Sequence, residues 1–152
     1  RQVIAALRRV NCEVVILAGG ANLDRLPEPL PSWVRVEQWV PLKFILGRSQ
    51  AIVHHGGSGT VLSSFAAGVP QVCIPMPGTV SVENARSVAA VGAGTLLDLT
   101  ALEPDQLSMA VTTALTDVDQ RNAAESIQRE MADMPSTRCV SSRLTAIVGQ
   151  NR

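Results

Sequence analysis

The segment Ala51-Ile52-Val53-His54-His55-Gly56-Gly57-Ser58-Gly59-Thr60-Val61-Leu62 decides how this chain is read. Its first three residues are a short apolar run of the kind that makes a buried parallel strand, and from Val61 to Ala67 apolar residues recur at helical spacing. Between them stand three glycines in four positions, Gly56, Gly57 and Gly59. Glycine lets the backbone turn sharply and leaves its N–H groups uncovered. The first turn of the helix adds unpaired N–H donors and the positive end of its dipole. Strand, glycine turn and helix N-terminus together make an anion site, with phosphate the natural guest. The same glycines also suit a plain strand-to-helix turn. An imidazole beside the turn, from His54 or His55, adds a donor that a bare phosphate loop lacks; only one of the pair is expected to face the phosphate, and His54, at the strand end, also suits a structural place.

The same alternation recurs along the chain. Val14-Val15-Ile16-Leu17 ends at Gly19-Gly20, and Gln71-Val72-Cys73-Ile74 lies between prolines, so both read as buried strands. Val34 to Glu37 and Gly94-Thr95-Leu96-Leu97 complete the strand set. Val3 to Val10, Leu42 to Leu46, and Val82 through Ala85 and Val88 to Ala89 carry helical spacing, and the Pro-rich segment Asn22 to Trp33 is a loop. Strands alternating with helices predict an α/β domain, one doubly wound parallel sheet with helices on both faces. After Leu97 the chain stays helical. Pro104 opens a helix with the stripe Leu107, Ala110, Val111, Ala114 and Leu115, a second runs from about Gln120 to Ala132 with Ala123, Ile127 and Met131 on one side, and Pro135 opens a third carrying Val140, Leu144, Ile147 and Val148. All three stripes are expected in the core.

Composition narrows the function classes. At 152 residues and 46% hydrophobic content the chain is one domain large enough for a real core. A formal net charge of zero gives no basic footprint for nucleic acid. Cys12, Cys73 and Cys139 have no CxxC spacing and are expected as small core hydrophobes in a reducing, cytoplasmic compartment, with neither disulfides nor a metal site. No apolar run approaches the roughly 20 residues of a membrane span, so no stable membrane insertion is expected. The first residue is Arg1, already next to a helical pattern, and a piece of a longer protein is the expectation.

In a doubly wound sheet, ligands bind beyond the carboxyl ends of the strands. Three segments occupy such places: Gln38 to Leu42, His54 to Thr60, and Pro75 to Asn84. They are expected to converge on one cleft, with a phosphate at the glycine turn and a flat ring against Trp39, one of two tryptophans.

These residues carry a family resemblance. Trp39-Val40-Pro41-Leu42, then His54-His55-Gly56-Gly57-Ser58-Gly59-Thr60, then Ala66-Ala67-Gly68-Val69-Pro70-Gln71 and Pro75, then Asn84-Ala85-Arg86, in this order and spacing, resemble the donor-binding half of the GT-B glycosyltransferases. The set is most similar to bacterial enzymes that attach deoxysugars to macrolide, polyketide and other antibiotic aglycones. The resemblance runs from Val14 to about Asp117. It implies a Rossmann-like C-terminal half of a GT-B fold, residues 1–152 forming one nucleotide-sugar donor-binding domain with a helical C-terminus. It also implies that the first strand and glycine loop of that domain are missing, because residues 1–10 match the helix that follows them, and that the N-terminal acceptor domain of the same polypeptide is missing too.

Residue by residue, the resemblance gives Trp39 the nucleotide base to stack on and the Val40 backbone its edge to hydrogen-bond. His55 would contact the pyrophosphate, and Gly57, Ser58, Gly59 and Thr60 would supply further donors. Two departures narrow the donor. Relatives that use uridine nucleotides carry a glutamate eight residues after the pyrophosphate histidine to grip both ribose hydroxyls, and here that position is Ser63. A donor without the 2′-hydroxyl does not need that grip, which favours a dTDP-sugar. Many relatives that bind hexoses carry Asp-Gln four residues before the Asn-Ala pair, where this chain has Val80-Ser81, leaving Ser81 and Glu83 as the sugar-proximal polar residues.

The implied activity of the whole protein is that of a hexosyltransferase moving a deoxysugar from dTDP to a small-molecule aglycone, with inversion and without cofactor or metal. The catalytic base belongs to the missing domain, so no catalytic residue is expected here and the piece alone is expected to bind nucleotide weakly and not turn over. A homodimer is compatible with the family. Two other readings stay open: a non-catalytic nucleotide-binding module, and a sugar-nucleotide epimerase of similar fold, which needs more carboxylates near the sugar than Glu83 offers.

Overall fold

The computed structural model describes residues 2–24, 26 and 28–150. Along them helix and strand alternate as α1 (Gln2–Leu7), β1 (Val14–Leu17), β2 (Val34–Glu37), α2 (Leu42–Leu46), β3 (Ile52–His54), α3 (Ser58–Ala67), β4 (Gln71–Cys73), α4 (Val80–Ala90) and β5 (Gly94–Leu96). Three helices follow, α5 (Pro104–Thr116), α6 (Val118–Asp133) and α7 (Thr137–Gln150). The loop from Asn22 to Trp33 contains neither helix nor strand among its described residues.

Every strand pairing is parallel. β1 pairs with β2 from Val14↔Val34 to Leu17↔Glu37, and β4 lies between β3 and β5, with His54 opposite Cys73 and Cys73 opposite Leu96. Successive side chains of a strand point to opposite faces, and β4 uses both. Val72 joins Ala6 and Leu7 of α1 and Leu107, Ala110, Val111 and Ala114 of α5 in one buried cluster. Cys73 joins Val61 and Phe65 of α3, Ala85 and Val88 of α4, Ala93, and Ala124 of α6 in the other. Helices therefore cover both faces, and the strand between them is fully buried.

Local chemistry sets the helix ends that matter for this packing. Pro104 fills the first position of α5, where its missing N–H costs nothing, and the Gln106 side chain accepts the Glu103 N–H at 3.1 Å. Asp117 closes α5 and opens α6, its carboxylate accepting from the Asp119 and Gln120 N–H groups. The hydroxyl of Ser108 donates to the Ala6 carbonyl at 2.7 Å and fastens α5 to α1.

Three expectations are corrected. The single sheet is two, because among the described residues β1 pairs only with β2 and β3 only with β4, leaving each with a free edge. The two sheets still share a core, since Val14 and Val53 both pack on the cluster under α1 and α5. The α7 stripe is not core: Val140, Leu144, Ile147 and Val148 are all exposed, and no described element packs extensively against that helix. Of the cysteines only Cys73 is buried, while Cys12 and Cys139 are partly exposed free thiols, because the chain ends of α1 and the start of α7 are thinly covered. Element limits also move, most usefully at α3, whose first turn already holds Ser58, Gly59 and Thr60.

Leu107 is 1% exposed at the centre of the α1–α5 cluster. Leu107→Ala is expected to destabilise the chain by about 2–5 kcal/mol, the range for a buried leucine truncated to leave a cavity, read from the urea midpoint at unchanged m-value.

Candidate functional site

The glycine turn is short and inverted. Gly56 has φ +83°, a conformation that side chains resist, and a Cβ there would stand 2.6 Å from the Ser81 carbonyl of α4. Only glycine fits. Gly57 then caps α3 in an extended conformation, its carbonyl accepting the Val61 N–H at 3.0 Å. No side chain caps this end, so the N–H groups of Ser58, Gly59 and Thr60 are the orphan donors of the first turn. Ser58 and Gly59 are exposed, and nothing lies within 4 Å of where a Gly59 Cβ would be. The donors open onto a shelf rather than a closed cavity.

The two histidines diverge. His54, the last residue of β3, turns inward: its Nδ1 accepts the Gly56 N–H at 3.0 Å and its Nε2 lies 2.9 Å from Gln71 Oε1 and 3.6 Å from Cys73 Sγ. Burial holds its imidazole below the ordinary histidine value, the Gln71 hydrogen bond working the other way and the neighbouring His55 adding to the fall. Burial also pushes the Cys73 thiol up to about 11, so it is an uncharged neighbour. His55 is exposed, with its ring beside the turn: a Cβ on Gly57 would stand 2.7 Å from His55 Nε2. The glycine at 57 leaves room for that ring.

From the other side Asn84 of α4 donates to the Gly56 carbonyl at 2.8 Å and lies 3.0 Å from Ser58 Oγ. This residue was quoted in the sequence motif but not assigned to the site. The usable signal is its place near the start of the helix that follows the next strand. Ser81 sits with it, against Gly56. Glu83 is exposed and paired with Arg86, so its carboxylate is engaged within α4. Val80, the first residue of that helix, is exposed.

Trp39 follows β2 and is 78% exposed. A bare indole is unusual for so large an apolar group and leaves a flat face uncovered. Val40 beside it is partly buried, and α2, which begins two residues later, packs against α3. The turn and the segment from Pro75 to Asn84 thus meet through direct contacts, whereas Trp39 is connected to them through the α2–α3 packing. Ser63 lies partly buried on α3. A cavity of about 300 Å³ lined by Arg8, Arg9, Val10, Asn11, Cys12 and Trp33 is elsewhere, at the opposite end of β1.

Parallel strands sandwiched by helices, with a helical C-terminus, match the C-terminal half of the GT-B fold of the glycosyltransferases that this chain resembles in structure. The sequence profile described as "Erythromycin biosynthesis protein CIII-like, C-terminal domain" matches residues 1–147, and the chain belongs to this family. It is 39% identical over 139 residues to the elloramycin glycosyltransferase ElmGT of Streptomyces olivaceus, covering 91% of this chain and 34% of that protein. Among solved structures it resembles the glycosyltransferase SnogD from Streptomyces nogalater, with TM-score 0.80 and 34% identity over 97% of this chain and 39% of that one. It also resembles the glycosyltransferase VinC, solved in complex with dTDP, with TM-score 0.82 and 28% identity over 98% of this chain and 37% of that one. The chain spans about a third of the length of the curated relatives it matches. No helix of the described residues is long and apolar enough to cross a membrane.

The inward histidine gives folding a pH dependence with a definite sign. His54 is held below the value of about 6.5 that it has in the unfolded chain, so as pH falls the unfolded state takes up the proton first. Its contribution to stability is complete above pH ~6.5 and is lost as pH drops below that toward the folded value. Urea midpoints measured as a function of pH are expected to fall in the window just below 6.5, and His54→Asn is expected to flatten that slope.

Proposed function

We propose that this domain binds the nucleoside diphosphate of a sugar donor, and that the polypeptide carrying it transfers a deoxysugar from dTDP to a secondary-metabolite aglycone. The observation that carries the reading is the uncapped first turn of α3, open beside the exposed His55 ring. A diphosphate needs several donors aimed at one place, and N–H groups already fixed in a helix supply them without reorganising. The exposed face of Trp39 supplies a stacking surface for the base. Support for dTDP comes from Ser63, which cannot grip two ribose hydroxyls, and from the structural relative solved with dTDP. Val80 in place of a carboxylate supports a deoxygenated sugar, with Ser81 as the nearer polar residue. An epimerase would need free carboxylates there, and Glu83 is engaged by Arg86.

In the transfer, an acceptor hydroxyl deprotonated by a base from the acceptor domain attacks the anomeric carbon as the bond to the diphosphate oxygen breaks, inverting that centre and releasing dTDP. Negative charge grows on the leaving diphosphate. His55 and the N–H groups of Gly57, Ser58, Gly59 and Thr60 stabilise it, so the step calls for no metal ion. The acceptor domain, and a first strand leading into α1, belong to the rest of the polypeptide. A parallel strand joined to β1 through α1 fits the free edge of β1 that faces away from β2. Cytoplasmic conditions suit three cysteines that are all free thiols.

Calorimetric titration with dTDP and UDP tests the reading. The domain is expected to prefer dTDP, with Trp39→Ala weakening binding by the roughly 1–3 kcal/mol that a base-stacking aromatic contributes. His55→Ala is expected to cost about 1.5–3 kcal/mol, the value of a hydrogen bond to a charged group. Preference for UDP would remove the Ser63 argument, and binding indifferent to both substitutions would remove the site. With donor and candidate aglycones the 152 residues alone are expected to show no turnover, checked by product chromatography.

A further inference from the structure

The glycine turn is tied from beneath by a chain of side-chain hydrogen bonds that touches both ends of its donor segment. Gly56 N–H meets His54 Nδ1 at 3.0 Å, His54 Nε2 meets Gln71 Oε1 at 2.9 Å, and Gln71 Nε2 lies 3.4 Å from the Val61 carbonyl. A backbone N–H only donates, so Nδ1 is the unprotonated nitrogen and the neutral ring carries its proton on Nε2. That proton makes Gln71 Oε1 an acceptor, which in turn points the Gln71 NH₂ at Val61. One backbone proton therefore sets the polarity of the whole chain. It begins at Gly56 and ends at Val61, and the residues between them, 57 to 60, are those that offer donors outward.

Sheet register is what makes this chain possible. His54 is paired with Cys73, and Gln71 lies two residues before Cys73, so all three occupy the face of the sheet covered by α3. Gln71 is 0% exposed with both ends of its amide occupied, and the nearby Cys73 thiol brings no charge. Neither His54 nor Gln71 has a free polar atom to present to a ligand.

We propose that His54 and Gln71 are positioning residues for the donor diphosphate: acting through the backbone of Gly56 and Val61, they fix the N–H groups of residues 57 to 60 in place, and they touch no phosphate themselves. This rests on the reading of the turn as a diphosphate cradle. The two histidines then divide the work, one holding the donors and the other, His55, being a donor. His54 acts in its neutral Nε2–H form throughout and exchanges no proton with substrate.

The test compares dTDP with thymidine, which lacks the diphosphate, by calorimetry on the polypeptide that carries this chain. His54→Leu and Gln71→Met are expected to lower the ratio of dTDP to thymidine affinity by about tenfold or more, the scale of one hydrogen bond to a charged group, with thymidine binding unchanged. His54→Asn is expected to recover part of the loss, because an asparagine oxygen accepts the N–H two residues on in an Asx turn. A merely structural role would weaken both ligands alike and leave the ratio unchanged, and that result overturns the proposal. Wild-type protein that binds dTDP no better than thymidine would instead overturn the cradle itself. Should the variants not fold, ¹⁵N spectra of the wild-type imidazole in the dTDP complex decide: the Nε2–H tautomer supports the assignment, and the Nδ1–H tautomer overturns it.

Discussion

The inward-pointing N–H of Gly56 is the constraint on which the rest of the site depends. A backbone at φ +83° sends that N–H down to His54 and its carbonyl out to Asn84, so the two backbone polar groups of one residue, on either side of its Cα, are held from opposite sides. Buried or half-buried peptide groups must find partners. Here their partners are side chains from β3 and α4, and finding them fixes the direction in which the following helix starts. The close approach of Ser81 to Gly56 has the same effect from the α4 side. The result is a helix N-terminus whose free donors are aimed by groups other than those that would meet a ligand.

This arrangement separates electrostatics from formal charge. The chain as a whole is neutral, and the donors gathered at the turn are backbone N–H groups, the hydroxyls of Ser58 and Thr60, and an exposed imidazole. Such dipoles attract an anion without the long-range field of a lysine cluster, and they attract it at one orientation. On the proposed function, a diphosphate leaving group would be held here through many modest contacts instead of one tight ion pair, an arrangement suited to its departure.

Much of this was legible in the sequence because the strands announce themselves. Val14-Val15-Ile16-Leu17 and Gln71-Val72-Cys73 are short apolar runs bounded by glycine or proline, and they fold as parallel strands at those positions. The start of α3 was harder, since Gly59 is a poor helix former and conceals that the helix begins at Ser58. Which histidine faces inward followed from the strand end, yet the partner that holds it, Gln71, lies 17 residues on and becomes visible only with the register. Asn84 escaped for the same reason, 28 residues from the carbonyl it bonds. Period alone showed that α7 has an apolar side, and period carries no information about what covers that side. The split between β1 and β3 was equally invisible, because strand pairing is a property of neighbours that a local pattern does not name.

That split bears on how the domain behaves in a test tube. β1 is an aliphatic strand whose Val15 and Leu17 are exposed and whose edge away from β2 is unpaired among the described residues, and β3 offers a second such edge there. Natural proteins shield edges of this type with charge, proline, bulges or cover, since an open row of peptide groups is a template for another chain. Added to the exposed stripe on α7, these edges give another copy of the chain places among the described residues to pair or pack.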